Sequence, residues 1–271
     1  MPPPSRPRFR ASADVQLVDS HCHLDAPEFD GDRDAMLARA RAAGVAAMVV
    51  PAITAASWPG LHRACAADAA LHPAYGLHPM FLAEHRPAHL DELRTWLERE
   101  KPCAIGECGL DFFVEGLDPT AQRHYFQAQL QLAREFGLPV IVHARRAVEE
   151  VIQTLRRIGG LRGVIHSFSG SPEQARQLWD MGFLIGLGGP VTYPRANRLR
   201  TLVATMPLEF LLLETDAPDQ PDAGIRGQRN EPARLPAIAS AIAALRGQPV
   251  EDIAARTSHN ARQLFDLPAL P

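Results

Sequence analysis

His21 and His23 stand either side of Cys22, directly after the apolar run Val15–Asp19. Side chains alternate along a strand, so both imidazoles face one side while Cys22 faces the other. Two imidazoles placed this way can ligate one metal ion. A lone His-x-His pair is a weak signal, because such a pair on a strand is as often structural. Four more residues strengthen it, each closing an apolar run. Glu107 ends Cys103–Glu107, His143 ends Pro139–His143, His166 ends Gly163–His166, and Asp216 follows Phe210–Thr215. A carboxylate after such a run seldom faces a core unpaired.

Together these are four imidazoles and two carboxylates. A single catalytic zinc keeps about three protein ligands and a water. The larger set suits two divalent cations ~3.5–4 Å apart that share a bridging group. Glu107, with two oxygens, is the expected bridge, and Glu107 and Asp216 are the expected catalytic carboxylates. A carboxylated-lysine bridge is unavailable, since Lys101 is the only lysine and precedes its strand. The metal is zinc, manganese or magnesium: imidazoles favour zinc, whereas magnesium prefers oxygen donors.

Weaker candidates surround this set. His78, in Tyr75–Pro79, is placed to touch a substrate oxygen or to be a turn histidine. Arg145, just past His143, is suited to hold a phosphate bidentately or to pair with an acid. Arg229 lies in the loop after the last strand, a frequent phosphate site in barrels, and is equally a solvated arginine. Glu214 and Asp19 read as groups behind the metal ligands, and Asp111 equally as a helix cap. His62, His72, His85, His89, His124 and His259 read as surface groups.

The elements that must position these residues are short apolar runs alternating with helical segments. The expected strands are Val15–Asp19, Ala46–Ala52, Ala74–Leu77, Cys103–Glu107, Pro139–His143, Gly163–His166, Phe183–Leu187 and Phe210–Thr215. The clearest helices are Asp30–Ala43, Leu90–Glu100, Pro119–Phe136 and Pro172–Met181, the last with Ser171 as N-cap. Such alternation implies parallel strands joined by right-handed crossovers, and eight units close a barrel. The predicted fold is therefore an α/β, TIM-type (β/α)8 barrel as a single domain over residues 14–271, behind a flexible tail at 1–13. An open doubly wound sheet would carry a glycine-rich first turn, and here that turn is Ser20–Asp25.

The chain has 271 residues and a net charge of -3, so its overall field does not attract nucleic acid. Any polyanionic substrate must be drawn by local cations. The four cysteines form no Cys-x-x-Cys pair, which fits a reduced, cytoplasmic setting. No run approaches the ~20 apolar residues of a membrane span. No segment suggests an obligate protein partner.

The stretch Val18–Asp25 resembles the opening motif of the TatD family of metal-dependent deoxyribonucleases. The likeness continues through Gly76–Pro79, Ile105–Asp111, Pro139–Arg145, His166–Gly170, Glu214–Pro218 and Arg229–Pro232, in the family's order. It implies a barrel in which His21, His23, Glu107 and Asp216 serve one metal and Glu107, His143 and His166 the other. It also implies hydrolysis of DNA phosphodiesters, often 3′-to-5′ on single strands. In such a hydrolysis Asp216 is the residue expected to orient the attacking water and take its proton. Departures are modest. Met80 stands where the family often has histidine, Ser167 where it often has cysteine, and Arg146 where an aspartate usually follows His-x-Arg. The competing readings are a barrel amidohydrolase or esterase, an aminoacyl-tRNA deacylase, and a non-catalytic barrel that binds metal or nucleic acid.

Overall fold

A computed structural model of the chain describes residues 16–268. The tail expected at 1–13, and Val15 at the start of the first expected strand, lie outside the described residues. Eight strands form one parallel sheet in chain order: β1 Leu17–Asp19, β2 Val45–Pro51, β3 Leu71–Tyr75, β4 Ala104–Asp111, β5 Val140–Arg145, β6 Gly163–Ile165, β7 Phe183–Leu187 and β8 Leu211–Leu213. Around them run α1 Arg33–Ala42, α2 Trp58–Ala66, α3 Ala88–Glu100, α4 Pro119–Phe136, α5 Val148–Ile158, α6 Pro172–Asp180, α7 Asn197–Thr205, α8 Leu235–Arg246 and α9 Val250–Phe265. This is the TIM-type (β/α)8 barrel that the alternation predicts.

Local chemistry accounts for the element ends. The Asp118 side chain accepts the Thr120 N–H at the start of α4, and Pro119 occupies the first turn, where its missing N–H costs nothing. Ser171 and Gln174 form a reciprocal capping box at α6. Strands covered on both faces read as continuous apolar runs, which is why they stand out in the sequence. Several of their ends shift from expectation: β3 opens at Leu71 rather than Ala74, and β5 runs on from His143 to Arg145. β3 stops at Tyr75, where Gln129 takes the Leu77 backbone; β8 opens at Leu211 after a tight turn at Leu208–Phe210 and ends at Leu213, two residues short of Thr215. β4 runs past Glu107 to Asp111, with its register broken between Ile105 and Cys108.

Inside the barrel, Val18, Val49, Ala74, Ala104, Ile141, Val164 and Leu212 form an apolar cluster with Ala261, Leu264 and Phe265 of α9, which stops the N-terminal end. Side-chain alternation then carries the next inward position towards the mouth: His143 two residues after Ile141, His166 after Val164, Glu214 after Leu212. The β8–β1 seam is closed by Ser20 N–H donating to the Leu213 carbonyl (2.9 Å). The buried Asp19 carboxylate spans the same seam, accepting the Thr215 N–H at 3.0 Å and its hydroxyl at 2.6 Å. Further up, Asp216 N–H reaches the His21 carbonyl (2.9 Å) and His23 N–H the Ala217 carbonyl (2.8 Å). Closing the barrel therefore brings His21, His23 and Asp216 to one place.

Gly109 lets β4 and β5 approach beside His143. A Cβ there would lie 2.0 Å from the His143 carbonyl oxygen, on a backbone with φ +146°. Gly109→Ala is expected to lower unfolding free energy by about 2 kcal/mol or more, since neither backbone can yield freely. Urea denaturation checks this, and a change under about 0.5 kcal/mol would contradict the packing described.

Candidate metal centre

The other five residues expected as metal ligands gather around the Glu107 carboxylate, which is 1% exposed. Its Oε2 lies 3.1 Å from His21 Nε2 and 3.5 Å from His23 Nε2. Asp216 Oδ1 faces the same two nitrogens at 3.4 and 3.6 Å. On the other side, Glu107 Oε1 lies 2.8 Å from His166 Nε2, 3.0 Å from His143 Nδ1 and 2.9 Å from His78 Nε2. Each carboxylate oxygen thus meets its own group of nitrogens. The backbone delivers this by a detour: Glu107 N–H bonds the Ala52 carbonyl (3.0 Å) at the end of β2, beyond β3. The close approach requires glycine, because a Cβ on Gly76 would lie 2.6 Å from the Gly106 carbonyl carbon.

Hydrogen bonds behind the imidazoles set which nitrogens carry protons. His23 Nδ1 sits 3.2 Å from the Pro51 carbonyl, and a carbonyl only accepts. His143 Nε2 sits 2.8 Å from Asp111 Oδ2. Each neutral ring is therefore protonated away from Glu107 and turns a lone pair towards it. His78 is the opposite case. Its Nδ1 accepts the Met80 N–H (3.1 Å), so its Nε2–H donates to Glu107 Oε1. Lone pairs aimed at carboxylate oxygens need either extra protons or a cation between them. Glu107 Oε2 has no hydrogen-bond partner despite its burial, and the donor set of imidazole nitrogens and carboxylate oxygens suits a divalent metal. The residues fit the group.

The protein's own electrostatics point the same way. Burial opposes charge on Glu107, but His166, His78 and His21 outweigh it and hold the carboxyl ionised well below its usual range. Burial and then the neighbouring His166 keep His21 neutral, and burial lowers His78 to about 4. For His166 and His23 burial loses to Glu107 and Asp216, so they rise to about 10 and about 9. Protons on these two rings occupy the role of the missing positive charge. Burial raises Glu214 to about 8, which leaves it neutral behind His166 at pH 7.

The family model described as TatD related DNase matches residues 18–266. The chain belongs to the TatD family. The metal-dependent hydrolase YjjV of Escherichia coli K12 is 41% identical over 258 residues, spanning 93% of this chain and 99% of that protein. The crystal structure of YjjV superposes with a TM-score of 0.89, covering 93% of this chain and 98% of the other at 40% identity. The 3′-5′ ssDNA/RNA exonuclease TatD of Erwinia tasmaniensis is 36% identical over 263 residues, spanning 93% of this chain and 100% of that protein. This TatD-family chain is a metal-dependent hydrolase acting on ester bonds. No helix among the described residues is long and apolar enough to cross a membrane.

Not every expected residue joins the centre. The Arg229 guanidinium grips Asp32 bidentately at 2.7 and 2.8 Å and also donates to the Glu28 carbonyl, so its fork is engaged within the chain. Arg145 stays at the exposed rim, over the Phe113 ring. His78 is buried against Glu107. Asp111 is no helix cap: its Oδ2 holds His143 while its Oδ1 accepts the N–H groups of Phe113 and Val114. Nor are His85 and His89 free surface groups. His89 is buried, and His85 Nε2 lies 2.8 Å from the His78 carbonyl.

Sequence reasoning missed several positioning groups in this TatD-family site. Gln122 and Gln129, seven apart and buried on α4, each pair with a strand-end backbone. Gln122 takes both polar groups of Asp111 (2.8 and 2.9 Å), and Gln129 both of Leu77 (2.8 and 3.1 Å). Asn230 clamps the loop after β8 by donating to the Thr215 and Asp219 carbonyls, each at 2.8 Å. The one readable signal was a glutamine recurring at i and i+7 on the core face of a helix.

A metal ion held by His23 and His166 would have to displace the protons that Glu107 and Asp216 hold on these rings, which raise them to about 9 and about 10. Affinity for zinc or manganese is therefore expected to fall as pH drops from 8 to 6, with protons released on binding at pH 7.5. Titration calorimetry in buffers of different ionisation enthalpy reads this directly. Binding without proton release would contradict the charge arrangement.

Proposed function

We propose that this chain is a two-metal phosphodiesterase that acts on DNA, shortening single strands from the 3′ end. The observation that carries the reading is the division of Glu107, with Oε2 facing His21 and His23 and Oε1 facing His143 and His166. A carboxylate with a separate donor group at each oxygen is suited to bridge two cations. On this reading His21, His23, Glu107 and Asp216 hold one cation, and Glu107, His143 and His166 hold the other. Zinc or manganese suits so imidazole-rich a set better than magnesium. When bound, such cations supply Lewis acidity that neutralises phosphoryl charge and lowers the pKa of water. That answers how a chain of net charge -3 handles a polyanion. The choice of DNA is supported by the name of the Erwinia relative, an exonuclease of single-stranded DNA and RNA.

Asp216 is the residue suited to take the proton of the attacking water. Burial raises its carboxyl above the ordinary aspartate value, making it a better base than an exposed aspartate. Its backbone is left-handed, with φ +57°, and the Gln220 amide holds Oδ2 while Oδ1 turns to the imidazoles. The carboxylate is thereby aimed rather than free to rotate. His78 keeps a hydrogen bond on Glu107 Oε1 and stays neutral at working pH, adding no charge to repel a cation. Asp111 and the Pro51 carbonyl hold His143 and His23 in the required tautomers.

Asp216→Asn keeps the shape and removes the base. Turnover of a 5′-labelled single-stranded oligonucleotide is expected to fall by about 10²–10⁴-fold, while metal content measured by mass spectrometry falls much less. Unchanged turnover would remove Asp216 from this role.

A further inference from the structure

Among the described residues the large exposed hydrophobics are Met80 and Phe113, at 40% and 44%. Both follow strand ends at the barrel mouth, Met80 two residues after His78 and Phe113 two after Asp111. Two arginines gather on the Phe113 ring. The Arg145 guanidinium lies 3.7 Å from the ring centroid and that of Arg146 4.6 Å. Most arginines in ion pairs here have a carboxylate close by, as Arg229 has Asp32 and Arg123 has Glu150. Among the described residues neither Arg145 nor Arg146 has an acidic oxygen within 4.0 Å. Arg146 also takes a left-handed backbone, φ +53°, immediately after β5, a conformation unfavourable for a long side chain. Two like charges on one exposed ring repel, and among the described residues no carboxylate forms an ion pair with either.

The platform is tied to the metal centre. Phe113 N–H donates to Asp111 Oδ1 (2.9 Å), and the other oxygen of Asp111 holds His143 (2.8 Å). Arg145 is two residues beyond His143 on β5, the spacing that repeats a side on a strand. We propose that Phe113, Arg145 and Arg146 form a subsite for a nucleotide of a single strand neighbouring the cleaved phosphate. An unstacked base lies on the Phe113 ring or on the guanidinium plane beside it, and the forks of the arginines take phosphate oxygens. Alternating planar rings and anions are what this surface lacks and a nucleic-acid strand supplies. A duplex keeps its bases stacked and cannot offer one to the ring, so the subsite selects single strands.

The inference rests on the proposed phosphodiesterase reading, and the experiment separates the two. Fluorescence anisotropy with a 5′-fluorescein oligothymidylate whose linkages are cleavage-resistant phosphorothioates is measured on the metal-loaded protein, for wild type, Phe113→Ala, Phe113→Trp and Arg146→Ala. Both altered side chains are exposed, and thermal melting verifies that the variants fold. Phe113→Ala is expected to weaken binding roughly 5- to 100-fold, and Phe113→Trp to restore most of it. Arg146→Ala is expected to reduce the slope of log affinity against log salt by about 0.7, the loss of one phosphate contact on a single strand. If wild type binds this strand and degrades its unmodified counterpart but both alanine variants bind it as wild type does, the subsite is refuted and the phosphodiesterase reading stands. If metal-loaded wild type hydrolyses bis(p-nitrophenyl) phosphate or acyl esters yet neither binds nor cuts either strand, the nucleic-acid reading fails and the subsite with it.

Discussion

One buried negative charge organises the mouth of this barrel. Taking a carboxylate out of water costs several kcal/mol even after relaxation, so Glu107 survives only if positive charge or donors reach both of its oxygens. Five imidazoles do so, from β1, β3, β5 and β6 and the turns that follow them. With Asp216 facing two of the same imidazoles and Asp111 behind a third, the cluster is well supplied with nitrogen and short of positive charge. His23 and His166 make up the deficit with protons, and a divalent metal makes it up better. The affinity for metal is in this sense a consequence of where the fold has put a carboxylate.

Holding that arrangement takes the surrounding structure. The two lone-pair imidazoles whose tautomers are set from behind, His23 and His143, lean on the Pro51 carbonyl and on Asp111. Asp111 is itself held by Gln122, and the Leu77 backbone next to His78 by Gln129, so α4 fixes the ends of two neighbouring strands at once. At the seam Asp19 ties Thr215, which places Glu214 and Asp216 on either side of that anchor. Glu214 lies against Gly186, where a Cβ would approach its Oε2 to 2.1 Å. A change of one methyl in several of these positions would therefore be felt at the proposed metal ligands, because the supports are backbone and buried side chains that cannot swing away.

Much of this was readable from residue order. Parallel strands buried on both faces announce themselves as apolar runs, and a polar residue ending such a run in a barrel points at the mouth. That logic identified His143, His166, Glu107 and Asp216 together with His21 and His23. It failed where chemistry depends on direction rather than position. Asp111 lies four residues past Glu107, and the sequence contains nothing to say that β4 continues that far through a break in register. Gln122 and Gln129 look like ordinary polar residues of an amphipathic helix until the strand ends they cover are known. Arg229 sits in the expected loop, yet Asp32, remote in sequence, claims it. His89 reads as a surface residue because its partner is the nearby Arg86, whose backbone and side chain both donate to the ring, and such a local pairing leaves no periodic trace.

The central claim is that Glu107 lies between two cations. Anomalous diffraction from crystals grown with manganese, recorded at the manganese edge, tests it most directly. The account predicts two peaks flanking the Glu107 carboxylate, one beside His21, His23 and Asp216 and one beside His143 and His166. A single peak touching only one carboxylate oxygen, or peaks remote from Glu107, would contradict it.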